Sequence, residues 1–156
     1  MLKLFLPVLL VVFASYSLTA QSQQPSINDM QGCQAVIEFV EQKLASPPEK
    51  YAKEQVNTVL TGLNTYNTYI QSEIVSPGLL TFNGGDQAKA NAMQVQIDSY
   101  KDSLVSNLNA RFPENRLYTD QAMTINQCAQ KAVPTGEALN KLKEALQMMV
   151  VLAQMG

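Results

Sequence analysis

The chain is expected to be all-α: an antiparallel four- or five-helix bundle with one helix-to-helix disulfide. Three observations lead there. Apolar residues recur at three- and four-residue steps through most of the length, the period of an amphipathic helix. No segment alternates convincingly with the period of two that a half-buried strand needs. The chain's two cysteines, Cys33 and Cys128, both fall on helical apolar stripes.

Residues 1–20, MLKLFLPVLLVVFASYSLTA, read as a secretory signal peptide. Lys3 supplies the positive start, Leu4 to Ala14 the apolar run, and Ala20 the small residue at the cleavage point. That run is shorter than the about 20 apolar residues of a membrane-spanning helix. Its removal from the 156 residues leaves 136, residues 21–156, expected to form a single helical-bundle domain able to bury one core. The expected address is periplasmic or secreted, with no transmembrane segment in the mature chain.

Ser26-Ile27-Asn28-Asp29 opens helix one, whose stripe is Met30, Cys33, Ile37, Val40 and Leu44. Ser46-Pro47-Pro48-Glu49 combines a capping-box spacing with proline at the first helical position, so helix two is expected to start there. Its stripe runs Val56, Val59, Leu60, Leu63, Tyr66, Ile70 and Ile74, up to a break at Ser76-Pro77-Gly78. That is about 28 residues, or roughly 42 Å at 1.5 Å each. Asn83-Gly84-Gly85-Asp86 is a turn ending in an N-cap aspartate. Helix three follows with Met93, Ile97, Tyr100, Leu104 and Leu108, stopping near Phe112-Pro113, and its matching length predicts a long antiparallel hairpin with helix two. Helix four carries Tyr118, Ala122, Ile125, Cys128, Ala129 and Ala132 up to Pro134. A last helix after Thr135-Gly136 bears Leu139, Leu142, Leu146, Met149, Val150 and Ala153, and its continuity with helix four is left open.

In an up-down-up-down bundle, helices one and four lie side by side and antiparallel, which places Cys33 and Cys128 at similar depth from one end. Their Cα atoms can then approach within the about 7 Å a disulfide needs. A crosslink over 95 positions contributes roughly 4 to 5 kcal/mol by loop entropy.

Composition excludes several chemistries. There is no histidine, which removes the commonest general base and metal ligand and with it Ser-His-Asp and Cys-His catalysis. With Lys3 gone, 10 basic residues face 13 acidic ones, and the basic ones are scattered, which argues against a nucleic-acid partner. The carboxylate pairs Glu38 with Glu41 and Asp98 with Asp102 lie at solvated helix spacings, so no enzyme is expected, no metal site and no cofactor. Without histidine, the mature protein changes charge mainly below about pH 5.

Three stretches are candidate binding surfaces. Leu79, Leu80 and Phe82 make the expected loop from Val75 to Gly85 apolar: they either plug the open end of the bundle or form a contact surface. On helix two, Asn67 falls inside the apolar stripe beside Tyr66 and needs a partner, whether a register-fixing contact or a ligand in a cleft opposite Met93. Tyr69 and Tyr51 point away from that stripe, either as ordinary half-exposed rings or, together with Phe82, as an aromatic binding face. On the last helix, Met148, Val151 and Leu152 point off the core stripe, so either the helix is central or its second face binds another molecule.

The organisation is similar to that of small periplasmic helical proteins acting as chaperones, inhibitors or immunity factors, with no residue pattern that assigns one of these. The expected role is a non-enzymatic protein-interaction module whose partner is another envelope or secreted protein. The alternative is a carrier of a small apolar ligand held between helices two and three.

Overall fold

A computed structural model describes residues 25–156, so the signal-peptide reading of residues 1–20 lies outside the described residues. Five helices and no strand make up the described chain, and the expected helical bundle is what it forms. Helix α1 is Ile27–Ala45, capped by Ser26, whose Oγ accepts from the Asp29 backbone N–H at 3.1 Å. Helix α2 runs from Lys53 to Phe82 in three stretches: α-helical Lys53–Tyr69, π-helical Ile70–Val75 and α-helical Ser76–Phe82. Helices α3 (Gln87–Arg111), α4 (Thr119–Lys131) and α5 (Gly136–Gln154) follow.

Two expected boundaries are corrected. Helix two does not begin at Pro47-Pro48. Tyr51 is drawn into the core, where its hydroxyl accepts from the Leu117 backbone N–H at 3.2 Å, and the helix starts at Lys53 after that anchor. Tyr51 is therefore buried rather than half-exposed. The other end shows no break at Ser76-Pro77-Gly78. In a regular α-helix the Pro77 ring meets the carbonyl four residues back. Here the Ser76 N–H reaches back five residues to the Gln71 carbonyl, and this widened turn carries the helix past the proline. The stretch expected as an apolar loop is thus helical to Phe82.

Asn83-Gly84-Gly85 makes the expected turn, with φ of 63° and 84° at the two glycines, and Asp86 Oδ1 accepts from the Lys89 backbone N–H at 3.1 Å. Ala132–Thr135 separates α4 from α5, which settles their continuity.

The packing also differs from a simple hairpin series. Helix α2 packs most extensively on α5, while α3 lies along α1 and meets α2 extensively only through Ser76–Phe82. Helix α1 is the pillar. Beside the expected stripe it buries Gln31, Gln34, Ala35 and Phe39, because α2, α3 and α4 all pack against it. Two polar contacts stitch α3 to α1: Lys101 Nζ to Glu38 Oε2 at 2.8 Å, and Asn109 Nδ2 to Gln42 Oε1 at 3.0 Å. Helix α3 itself fully buries only Ala90 and Val105. The Cys33–Cys128 disulfide joins α1 to α4 with Cα atoms 5.8 Å apart, as expected, and Lys131 pairs with Asp29 at 2.9 Å nearby.

The α2–α5 seam closes at Gly62. A Cβ there would lie 2.4 Å from the Lys141 carbonyl oxygen and 2.5 Å from Ala145 Cβ. Gly62→Ala would gain about 1 kcal/mol of helix propensity, but overpacking against backbone that cannot swing aside costs about 1–3 kcal/mol. Urea unfolding should show Gly62→Ala less stable than the wild type, and Gly32→Ala, where a Cβ meets nothing, equal or more stable. A Gly62→Ala protein as stable as Gly32→Ala would contradict the close seam.

Acid sensitivity follows from the carboxyls. Hydrogen bonds from Lys131 to Asp29, from the Lys89 backbone to Asp86, from Tyr118 to Glu114 and from Lys141 to Glu137 hold these four below their ordinary values. Their stabilisation is present above the usual carboxylate range and is lost as pH falls through the lowered folded values. Glu41 has the opposite sign: burial, then Glu38, raises its value, so the fold gains when it protonates. Exposed pairs contribute little each. Melting temperature should therefore stay level from about pH 8 to about pH 5 and fall only below about pH 4. A marked drop near pH 6 would contradict this assignment.

Candidate functional site

Two concave surfaces flank the π-helical stretch. The first is an apolar groove of about 430 Å³ beside the N-terminus of α1, lined by Pro25, Ile27, Ile74, Pro77, Gly78 and Phe82 among others. It exists because α2 stays helical past Pro77: Gly78 has no side chain, so Ile27 lies 3.2 Å from where a Cβ would stand. The Phe82 ring stands at the rim, 74% exposed.

The second is a polar trough of about 440 Å³, lined by Gln34, Asn67, Gln71, Ser72, Ser76 and Lys101 among others. A smaller hollow of about 130 Å³ shares Gln71 and Ser76 with it and runs on to Gln94. An amide chain ties the walls together. Buried Gln34 donates through Nε2 to Gln71 Oε1 at 3.1 Å, Gln71 Nε2 donates to Ser76 Oγ and to Gln94 Oε1 at 2.9 Å each, and Gln94 Nε2 donates to Asp98 Oδ1 at 2.9 Å. Three helices are thus held together by one side chain, Gln71, on the π-helical stretch.

The candidate residues separate accordingly. Tyr66 is fully buried, its hydroxyl donating to the Ala132 carbonyl at 3.1 Å, and burial, then Tyr69, pushes its phenol well above the ordinary value. Tyr69 donates to the Val133 carbonyl at 2.9 Å, so the two tyrosines fasten the link between α4 and α5 rather than face a ligand. Leu79 and Leu152 are buried and Leu80 and Met148 are half-buried against the core, so of the two readings open at those positions these residues follow the core one. Leu152 is interior because α5 packs on both α2 and α4; Val151 is the exposed residue there. Phe82 lines the apolar groove and Asn67 the polar trough, while Leu79 reaches only the smaller hollow.

Asn67 does not find the expected partner. It is half-buried, and its Oδ1 is shielded from water with no hydrogen-bond partner among the described residues. Met93 does not line the trough; its sulfur accepts from Asn83 Nδ2 at 3.8 Å. The trough around Asn67 lies among α1, α2 and α3, and amides, hydroxyls and the Lys101 ammonium line it rather than apolar side chains. Lys101, Gln34 and Gln94 were missed because long polar side chains on helices ordinarily read as solvated. Glu41 has a raised carboxyl, yet it lines neither cavity. Among the described residues no three carboxylate or cysteine side chains gather as a metal-binding group.

No protein-family model, curated protein or solved structure matches the chain. The site rests on its own chemistry, and Gln71 is its keystone. Gln71→Ala should cost about 1–3 kcal/mol in urea unfolding, because it strands the buried Gln34 amide. Gln94→Ala removes one more exposed acceptor and should cost less. Equal effects would show that Gln34 is not held by this chain of amides.

Proposed function

We propose that this is an exported, non-enzymatic protein that works as an interaction module, taking an apolar side chain of a partner protein into the groove beside Phe82. The observation that carries the reading is the Phe82 ring, 74% exposed at the rim of an apolar groove at the turn end of a helical hairpin. Leaving a phenylalanine in water forgoes about 1.5–3 kcal/mol that burial would return. Pro25, Ile27, Ile74 and Pro77 add apolar area beside it, with Glu73 and Thr81 on the lining as its polar members.

Export is supported by the leader-like residues 1–20 and by the disulfide, a bond that persists in oxidising compartments. Among the described residues no helix is long and apolar enough to cross a membrane. A binding role rather than catalysis is supported by the histidine-free composition and by the pairing of Glu38 with Lys101.

A photo-crosslinking residue in place of Phe82 should give one discrete adduct with another protein in the envelope of the native host. The same residue in place of Tyr100, exposed on α3, should not. Phe82→Ser should change stability by no more than about 0.5 kcal/mol, as expected of a surface position. No adduct from position 82, or the same adducts from both positions, would refute the groove as the docking surface.

A further inference from the structure

The turn between α2 and α3 carries the chain's one asparagine followed by glycine, Asn83-Gly84. We propose that this pair is a site of covalent self-modification that the folded turn holds closed, and that it reacts with water to give aspartate and isoaspartate when the end of α2 opens.

The reaction needs only the pair and water. The Gly84 backbone nitrogen, having lost its proton to solvent, attacks Asn83 Cγ. A bond forms between that nitrogen and Cγ, the Cγ–Nδ2 bond breaks, and Nδ2 takes up a proton and leaves as ammonia. Water then opens the cyclic imide. Attack at Cγ breaks the new bond and leaves aspartate at position 83; attack at the backbone carbonyl carbon breaks the original peptide bond and leaves isoaspartate, with the chain routed through Cγ. Nothing is oxidised or reduced. Glycine favours the first step because no Cβ shields its nitrogen. The surroundings add no shield either, since a Cβ at Gly84 would meet nothing within 4 Å.

The fold opposes ring closure at each of the three groups that must move. Asn83 has ψ of 17°, which sets the Gly84 nitrogen nearly opposite Cβ about the Cα–C bond, where the ring needs the two on one side. The Gly84 N–H donates to the Thr81 carbonyl at 3.0 Å, and loss of its proton would forfeit that bond. Asn83 Nδ2 donates to the Leu79 carbonyl at 2.9 Å and to Met93 Sδ at 3.8 Å, which ties the half-buried side chain to α2 and α3. Reaction therefore waits for the turn to open and proceeds in proportion to the time it spends open.

Neither product rebuilds the turn. Aspartate at position 83 brings a carboxylate to the Leu79 carbonyl in place of a donor, at the helix end where the dipole disfavours negative charge. Isoaspartate adds a carbon to the backbone inside the hydrogen bonds from Gly84 to Thr81 and from Gly85 to Leu80. Because ammonia has left, refolding does not undo the change, and each opening leaves a lasting mark beside Phe82.

The mature protein would be incubated in mildly alkaline buffer, folded or unfolded in urea, and digested at intervals. Chromatography with mass spectrometry then separates asparagine, aspartate and isoaspartate at position 83. In urea Asn83 should react ahead of every other asparagine, and in the folded protein at least about tenfold more slowly. Gly85→Ala keeps the reacting pair but puts a Cβ on backbone with φ of 84°, which strains the turn. Folded Gly85→Ala should react severalfold faster than folded wild type and match it in urea. If that variant does not fold, Met93→Ala, which removes the sulfur contact, carries the same expectation. Equal rates in folded and unfolded wild type, another asparagine reacting first in urea, or no acceleration in the folded variant would overturn the proposal.

Discussion

Burial of α1 on nearly every side is the constraint from which the remaining arrangement follows. A helix in a bundle ordinarily keeps one face in water, but α1 buries Met30, Ile37, Phe39 and Val40 completely and Gln31, Gln34 and Ala35 nearly so. Helices α2, α3 and α4 must therefore surround it, which leaves α5 to close on α2 through the Gly62 seam. The disulfide fixes α4 to the pillar near the depth at which Lys131 meets Asp29. Helix α3 is the outermost cover, and its hold on α1 mixes half-buried Leu104 and Leu108 with the polar contacts of Lys101 and Asn109.

The π-helical stretch answers a second demand of that pillar. A glutamine in the interior of a helix bundle needs partners for its amide, and Gln34 finds one in Gln71. Val75 and Leu79, one turn apart in the same helix, are buried before and after Pro77. The widened turn meets both requirements, carries the helix past Pro77, and leaves a concave surface on either side of it. One is apolar and rimmed by Phe82; the other is built of amides around Asn67. A single local irregularity thus gives rise to both candidate sites.

What was legible in the sequence was whatever depends on local chemistry. The serine cap before Ile27, the Asn83-Gly84-Gly85-Asp86 turn, the interruption at Pro134 and the apolar stripes all translate directly into backbone. The two cysteines needed only helix lengths and antiparallel topology. The misreadings came where tertiary contacts outweigh local signals. Ser76-Pro77-Gly78 has the composition of a break, but burial of Val75 and Leu79 on both sides keeps the helix intact. Tyr51 reads as a surface residue until the Leu117 backbone meets its hydroxyl. A second stripe on α1, Gln31, Ala35 and Phe39 at four-residue steps, was present but concealed by glutamine. Gly62 inside a strong helical pattern was the available sign of a close helix pair.

The account stands on α1 as pillar and α3 as outer cover, and native-state hydrogen exchange tests that division most directly. Amides of α1 around Ile37 to Val40 should exchange only through global unfolding, with the same free energy and denaturant dependence as the whole domain. Amides of α3 between Ala90 and Val105 should open at lower free energy, through a smaller local unfolding that carries Gln94 and Lys101 away from the trough. Protection of α3 equal to that of α1, or a local opening of α1 while α3 remains closed, would contradict it.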